Sequence, residues 1–166
     1  MTKLYVYSLV ISVIIRAGAM SFDEINMKLV KYLREGRKPF KEIAAALSIT
    51  ENTVRARVKK LVKESVLHIT GLIDPEKIPN HHLAVVGVKL KTMNLVEKGR
   101  EFSKLKGIVS VGVVTGRFDL ILTVLLNDEF DLLEFYTKEV SKIEDVLSTE
   151  TFVLYKNFNW RVPYIL

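Results

Sequence analysis

The sequence predicts an α+β chain in two halves, and three observations predict it. Residues 39 to 64, PFKEIAAALSITENTVRARVKKLVKE, read as a short helix, a sharp turn and a second helix with an apolar stripe and a basic outer face. Asp74-Pro75-Glu76-Lys77-Ile78-Pro79-Asn80 carries two prolines and makes the best boundary. Beyond it, strand-like and helix-like runs follow in the order βαββαβ, the ferredoxin-like arrangement of four antiparallel strands under two helices. The expected organisation is therefore a winged helix-turn-helix domain over 21–73, a linker over 74–82, a ferredoxin-like domain over 83–156 and a tail over 157–166.

In the first half, Ser21 or Asp23 caps a helix in which Ile25, Leu29 and Leu33 recur at i, i+4 spacing. Gly36 ends it, and Arg37-Lys38-Pro39 connects to the next. The helix from Phe40 to Leu47 turns Ile43 and Leu47 inward, with small Ala44 and Ala46 where two helices approach. Ser48-Ile49 makes the turn, and Thr50 caps the following helix by accepting from the backbone N–H near Thr53. On a helix of 3.6 residues per turn Val54, Val58 and Leu61 share one side and bury it. Val66 to Ile73 has the composition of a short strand or wing.

In the second half, Leu83 to Lys91 reads as a strand. Asn94 to Leu105 reads as a helix with Leu95, Phe102 and Leu105 inward. Ile108 to Thr115 and Asp119 to Leu126 are strands around a Gly116-Arg117-Phe118 turn. Asn127 or Asp128 caps a helix burying Phe130, Leu133, Tyr136 and Val140, and Leu147 to Tyr155 is the last strand. Such a sheet leaves one face uncovered, and its apolar strands call for a partner subunit. In the tail, Phe158, Trp160 and Tyr164 either cover a partner's surface or complete the subunit's own core.

Composition narrows the function. The 166 residues suffice for one domain or two small ones, and 49% hydrophobic with 27% charged content is that of a globular protein. With no cysteine, disulfides and thiolate zinc sites are excluded. Three histidines form no metal-ligand cluster, no metal or cofactor is expected, and P-loop, GxGxxG, HExxH and GxSxG patterns are absent. The formal charge of +6 divides as +2 over residues 1–20, +4 over 21–80 and zero over 81–166. The excess thus sits with the basic helix, as an electrostatic footprint for a polyanion requires.

Residues 1–20 are ambiguous. Leu4 to Ile15 is apolar, follows a lysine and precedes Arg16 and Ala17-Gly18-Ala19, like an export signal. It is short of the ~20 residues that span a bilayer. The alternatives are an ordered strand or helix against a partner subunit, or translated sequence ahead of a start at Met20. The favoured reading is non-export, a cytoplasmic protein with a strand-like arm and no membrane segment.

The spacing fits a helix-turn-helix, whose second helix lies in the major groove of double-stranded DNA. Its far side carries Asn52, Arg55, Ala56, Lys59 and Lys63, flanked by Thr53 and Lys60. Asn52 suits adenine, Arg55 suits guanine through two hydrogen bonds, and Lys59 suits phosphate. The bland alternative is a solvated helix face. Thr50 and Thr53 are caps first, and phosphate ligands at a helix N-terminus second. Lys38 and Lys41 either reach the DNA backbone or serve solubility. Arg57, nearer the buried side, braces the wing or an acidic neighbour, or reaches phosphate.

The chain resembles the Lrp/AsnC (leucine-responsive, feast/famine) family of regulators over roughly residues 21–156. The matching residues are Glu42-Ile43-Ala44, Leu47, Ile49-Thr50, Thr53-Val54, Arg57-Val58, Leu61 and Val66-Leu67, with Val114-Thr115-Gly116-Arg117-Phe118-Asp119 in the second half. The resemblance implies a homodimer, commonly built into tetramers or octamers, whose C-terminal half joins subunits. It also implies an amino-acid effector near Thr115, Gly116, Arg117, Phe118 and Asp119; the bland reading there is a hairpin turn. Ser48 and Ser65 stand where the family usually has glycine, and Arg117 where an acidic residue is frequent.

Two other functions compete with a sequence-specific DNA-binding regulator. One is an enzyme on the same architecture, decarboxylating a tetrapyrrole, for which strands 108–126 offer a single basic residue, Arg117. The other is a ligand-sensing module without DNA binding.

Overall fold

The computed structural model describes residues 22–34, 36 and 38–166; the expectations for residues 1–20, Ser21 and Arg37 lie outside the described residues. The chain divides into two compact units, one ending at Ile69 and the other beginning at Thr70. Each is described by itself.

The first unit is three helices on one small core. Helix α1, Glu24–Leu33, begins at Asp23, whose carboxylate accepts from the Asn26 N–H at 2.7 Å and so satisfies one of the donors a helix start leaves open. Helix α2 spans Phe40–Leu47 and helix α3 spans Glu51–Lys63, the latter capped by Thr50, which accepts from the Thr53 N–H at 3.1 Å. Leu29, Ile43, Ala44, Val54, Val58 and Leu61 form the core, with Phe22, Phe40, Ile49 and Leu67 packed against it. Ala44 is at the close approach, but Ala46 is exposed. Two residues on, it lies about 200° further round the helix than Ala44.

Helices α2 and α3 end alike. Ile49 N–H donates to Ala44 carbonyl and Ser48 N–H to Ala45 carbonyl; Val66 N–H donates to Leu61 carbonyl and Ser65 N–H to Val62 carbonyl. This paired pattern needs a left-handed residue just past the helix. Ser48 at φ 54° and Ser65 at φ 55° supply it, as expected for serines at glycine-favoured positions.

The second unit is an open sheet. Strands β2 (His82–Leu90), β3 (Ile108–Val113), β4 (Leu120–Leu126) and β5 (Val146–Val153) lie in the order β3-β4-β2-β5, antiparallel throughout. With helix α4 (Leu95–Phe102) between β2 and β3 and a helical stretch α5 (132–142) between β4 and β5, this is the expected ferredoxin-like topology. On one face Ala84, Val86, Val88, Leu120, Leu122 and Val124 are buried, as are Leu95 and Phe102 of α4 and Phe135 and Val140 of α5. Tyr136 and Thr151 hydroxyls, 2.6 Å apart, tie α5 to β5.

Three expectations are corrected here. No wing follows α3: of residues 66–73 only Leu72–Ile73 (β1) is a strand. It pairs antiparallel with Val162–Pro163 (β6) of the tail, because an isolated edge needs a partner and the tail supplies one. The α5 cap is Asp131, accepting from Glu134 N–H at 2.8 Å, while Asn127 folds a turn by accepting from Glu129 and Phe130 N–H groups. That later start rotates the helix, so Leu133 is 68% exposed and Phe135 takes the buried place. The second sheet face is not wholly open either. Trp160, Val162, Ile165 and Leu166 pack over Leu83, Leu125, Val109 and Leu154 at one end of it, together with Ile73. Trp160 thus completes the subunit's own core, while Phe158 is exposed and Tyr164 lies against the His81 ring at 5.7 Å.

Glycine at either left-handed serine removes strain of about 1 kcal/mol, less the entropy it adds to the unfolded chain. Ser48→Gly and Ser65→Gly should each leave the chain as stable or raise its unfolding free energy by up to about 1 kcal/mol, read from denaturant midpoints at unchanged slope. A loss above 1 kcal/mol at either position contradicts the assignment.

Candidate nucleic-acid interface and effector turn

Helix α3 carries two chemistries on opposite sides. Val54, Val58 and Leu61 are 0%, 6% and 1% exposed, whereas Asn52, Arg55, Ala56, Lys59, Lys60 and Lys63 are exposed and Thr53 half-buried. The expected division of faces is therefore present residue by residue. Among the described residues no ion pair engages Lys41, Lys59 or Lys63. Lys60 lies 4.0 Å from Glu64.

Arg55 is held in two ways. Its guanidinium pairs with Glu51 one turn back at 2.8 Å and stacks over the Phe40 ring with 5.5 Å to the centroid. An exposed i, i+4 pair stabilises a helix by only about 0.3–0.5 kcal/mol, so exchanging Glu51 for a base edge or phosphate costs little. Phe40 thus lies against the guanidinium on one side of the face. Lys38 sits over the Tyr32 ring at 4.9 Å, half-buried, beside the start of α2 where Lys41 is exposed. Thr50 caps α3, whereas Thr53, expected as a second cap, lies inside the helix as the donor that Thr50 satisfies, with the two hydroxyls 2.9 Å apart.

Arg57 has an acidic partner. It donates to Asp23 Oδ2 at 2.7 Å and to Asn26 Oδ1 at 2.9 Å, joining α3 to the start of α1. Asp23 therefore does two jobs, capping α1 and receiving Arg57. The Asn26 backbone N–H, then Arg57, hold its carboxyl below the ordinary 3.8. An open groove of about 670 Å³ runs beside this network, lined by Asn52, Thr53, Ala56, Lys60 and Glu64 among others.

In the second unit the turn Thr115–Asp119 separates into two roles. Thr115, Gly116 and Arg117 are exposed, and Gly116 at φ 129° adopts a backbone that side chains rarely allow. Arg117 pairs with Glu150 of β5 at 2.8 Å and lies over the Phe118 ring. Asp119, grouped with the other four around the implied effector, lies beneath the turn. It is 4% exposed, its Oδ1 accepts from Lys89 Nζ and its Oδ2 from the Leu90 N–H, both at 2.9 Å. A buried carboxylate needs such partners, and here the protein supplies them. Phe118 lies flat on β2: a Cβ on Gly87 would come within 2.6 Å of its ring.

Sequence reasoning missed Phe40 beneath Arg55, Lys89 opposite Asp119, and Glu150 opposite Arg117. Lys89 left a trace, being the one charge inside the apolar run LAVVGVKL. The other two join segments with no shared sequence pattern.

A cation-faced helix-turn-helix followed in the chain by a ferredoxin-like unit is the layout expected of a two-part regulator, one part for DNA and one for a ligand. The comparisons agree. Residues 22–62 match the AsnC-type helix-turn-helix domain, and residues 83–161 match the Lrp/AsnC ligand binding domain. An HTH-type transcriptional regulator of Pyrococcus furiosus, PF1231, is 32% identical over 140 residues, covering 83% of this chain and 95% of its own. The regulator Ptr1 of Methanocaldococcus jannaschii is 29% identical, over 82% and 93%. The crystal structure of PH0061 superposes with TM-score 0.71 at 26% identity, covering 83% of this chain and 95% of that one. A Neisseria meningitidis regulator in complex with L-Met, NMB0573, shares the fold at TM-score 0.64 and 19% identity, over 83% and 92%. The chain belongs to the Lrp/AsnC family of transcriptional regulators. Among the described residues no helix is long and apolar enough to cross a membrane.

Because Asp23 is more acidic folded than unfolded, its stabilisation is complete above pH 3.8 and disappears as pH falls through the lower folded value. Asp23→Asn keeps a capping oxygen but loses the charge pair, so it should flatten that part of the acid unfolding curve. An unchanged acid limb contradicts the Asp23–Arg57 link.

Proposed function

We propose that this regulator binds duplex DNA as a homodimer, with the outer side of α3 in the major groove. Asn52, Arg55 and Ala56 meet base edges, while Thr53, Lys59, Lys60 and Lys63 meet base edges or phosphates along the same side. Thr50, Lys38 and Lys41 meet the backbone near the starts of α3 and α2. The observation that carries this reading is the division of α3 into a buried Val54-Val58-Leu61 stripe and an exposed cationic side. Pinned from behind, the helix presents its polar groups in fixed register, which base readout needs. Two copies place two such helices on half-sites about 34 Å apart or a multiple of that.

The uncovered end of the sheet supports the dimer. Val85, Ile121, Phe118 and Phe152 lie there on one face, Phe152 being 45% exposed. A second copy burying this patch against its own would remove apolar surface from water at roughly 25 cal/mol per Å².

The ligand-binding half takes a small effector at the Thr115–Arg117 rim. Arg117, itself exposed, can release half-buried Glu150 and clamp an anion such as an α-carboxylate. Asp119 supports the turn from beneath. The relative crystallised with L-Met makes amino acids the first ligands to try.

Replacing Arg55 and Lys59 together with Ala should abolish retardation of operator DNA while the fold and oligomer persist. Wild-type affinity should fall steeply between about 50 and 200 mM salt, and unaltered DNA binding by the double variant refutes the face assignment. For the effector, Arg117→Ala should weaken amino-acid binding in calorimetry without lowering stability, whereas Asp119→Asn should lower stability. An identical titration for Arg117→Ala places the ligand elsewhere.

A further inference from the structure

The C-terminal tail is tied to the segment that leads out of the DNA-binding unit. Strand β6 pairs with β1, with Leu72 facing Pro163 and Ile73 facing Val162. Arg161 pairs with Asp74 at 3.2 Å. Glu76 receives both Lys156 Nζ at 2.5 Å and the Asn157 N–H at 2.6 Å. Behind these polar ties, Val162 is 1% exposed, and Trp160, Ile165 and Leu166 pack over Leu83 and Leu125. Residues 72–77 are thus held to the second unit by residues 156–163.

On the other side, Leu67 belongs to the first core, and its N–H donates to the Leu61 carbonyl. Between the two anchored points lie only His68, Ile69, Thr70 and Gly71, all exposed and without regular structure. Five steps from Leu67 to Leu72 reach at most about 17 Å when fully extended. If the tail let go of 72–77, the eleven steps from Leu67 to Ile78 would reach about 37 Å.

We propose that the tail acts as a latch that shortens the tether of each DNA-binding unit and thereby sets how strictly the dimer selects half-site spacing. Asp74, Glu76, Arg161 and Val162 are the positioning residues. The inference rests on the dimer reading above. Two recognition helices on short tethers tolerate one separation, since the effective concentration of the second at its half-site collapses when the tether cannot span the gap. Longer tethers spread that concentration over many separations and weaken the best one. None of these residues belongs to the α3 face, so the latch leaves the groups that meet one half-site unchanged.

The full-length chain tests this with duplexes carrying one half-site, or two at varied separations. The loosened variant is Glu76→Gln with Arg161→Gln, which cuts both ionic ties and leaves the Trp160 packing in place. The locked variant is L72C with P163C. The two positions face each other across an antiparallel pair, a separation a disulfide can bridge, and the chain has no other cysteine. Wild type and oxidised L72C/P163C should both lose about tenfold or more in affinity when the separation changes by about five base pairs. The loosened variant should lose under about threefold, with single half-site affinity and thermal midpoint close to wild type. Its amides over 72–77 should also exchange hydrogen faster than wild type. Unchanged exchange there overturns the latch, and so does faster exchange with wild-type spacing preference. If wild type gains nothing from a second half-site at any separation, the dimer reading fails, and the inference with it.

Discussion

The molecule depends on one constraint: α3 must be fixed by its back so that its front can read. Three apolar side chains, Val54, Val58 and Leu61, do the fixing, with Leu29, Ile43 and Ala44 as the surface they press on. Fully burying a side chain of this kind is worth about 1.5–3 kcal/mol, far more than any exposed charge on the other side. Register comes from polar contacts at the rim of that core. Asp23 caps α1 and takes Arg57, so the start of one helix and the middle of another share a carboxylate. The two left-handed serines set where α2 and α3 stop, and Ser48 thereby shapes the turn between the two helices.

The second unit solves a different problem. A four-stranded sheet with helices on one side has apolar strands to cover on the other. The chain covers one end itself with Trp160, Val162, Ile165 and Leu166, and leaves the end around Val85, Ile121 and Phe152. Asp119 works as a clasp in this half. By binding Lys89 and the Leu90 N–H it fixes the base of the hairpin turn, so that Gly116 and Arg117 project from a rigid footing. The ionic tie between Arg117 and Glu150 is exposed and exchangeable, whereas the tie beneath it is buried.

Much of this was legible in the residues because it rests on periodicity. The Val54-Val58-Leu61 stripe, the Thr50 cap, the serines at glycine-favoured turns and the order of strands all follow from local spacing, and each has its counterpart in the fold. What was not legible joins distant segments. The wing expected over Val66–Ile73 failed because the partner of Leu72–Ile73 lies some ninety residues away, in the tail. Leu133 was placed inward because it shares helical spacing with Phe130, Tyr136 and Val140, but the helix begins only after Asp131, so Phe130 is not part of it. Asp119 reads from sequence as part of a hairpin turn or effector rim, and its buried partners, Lys89 and the Leu90 N–H, lie some thirty residues earlier.

DNA recognition by this protein requires α3 to enter the major groove. Methylation interference measures this directly, since guanine N7 lines the major groove and adenine N3 the minor. Guanine N7 methylation within two half-sites should block complex formation, while adenine N3 methylation within the same half-sites should leave it intact. Blocking by N3 methylation alone would place the protein in the other groove and contradict the reading of Asn52, Arg55 and Lys59.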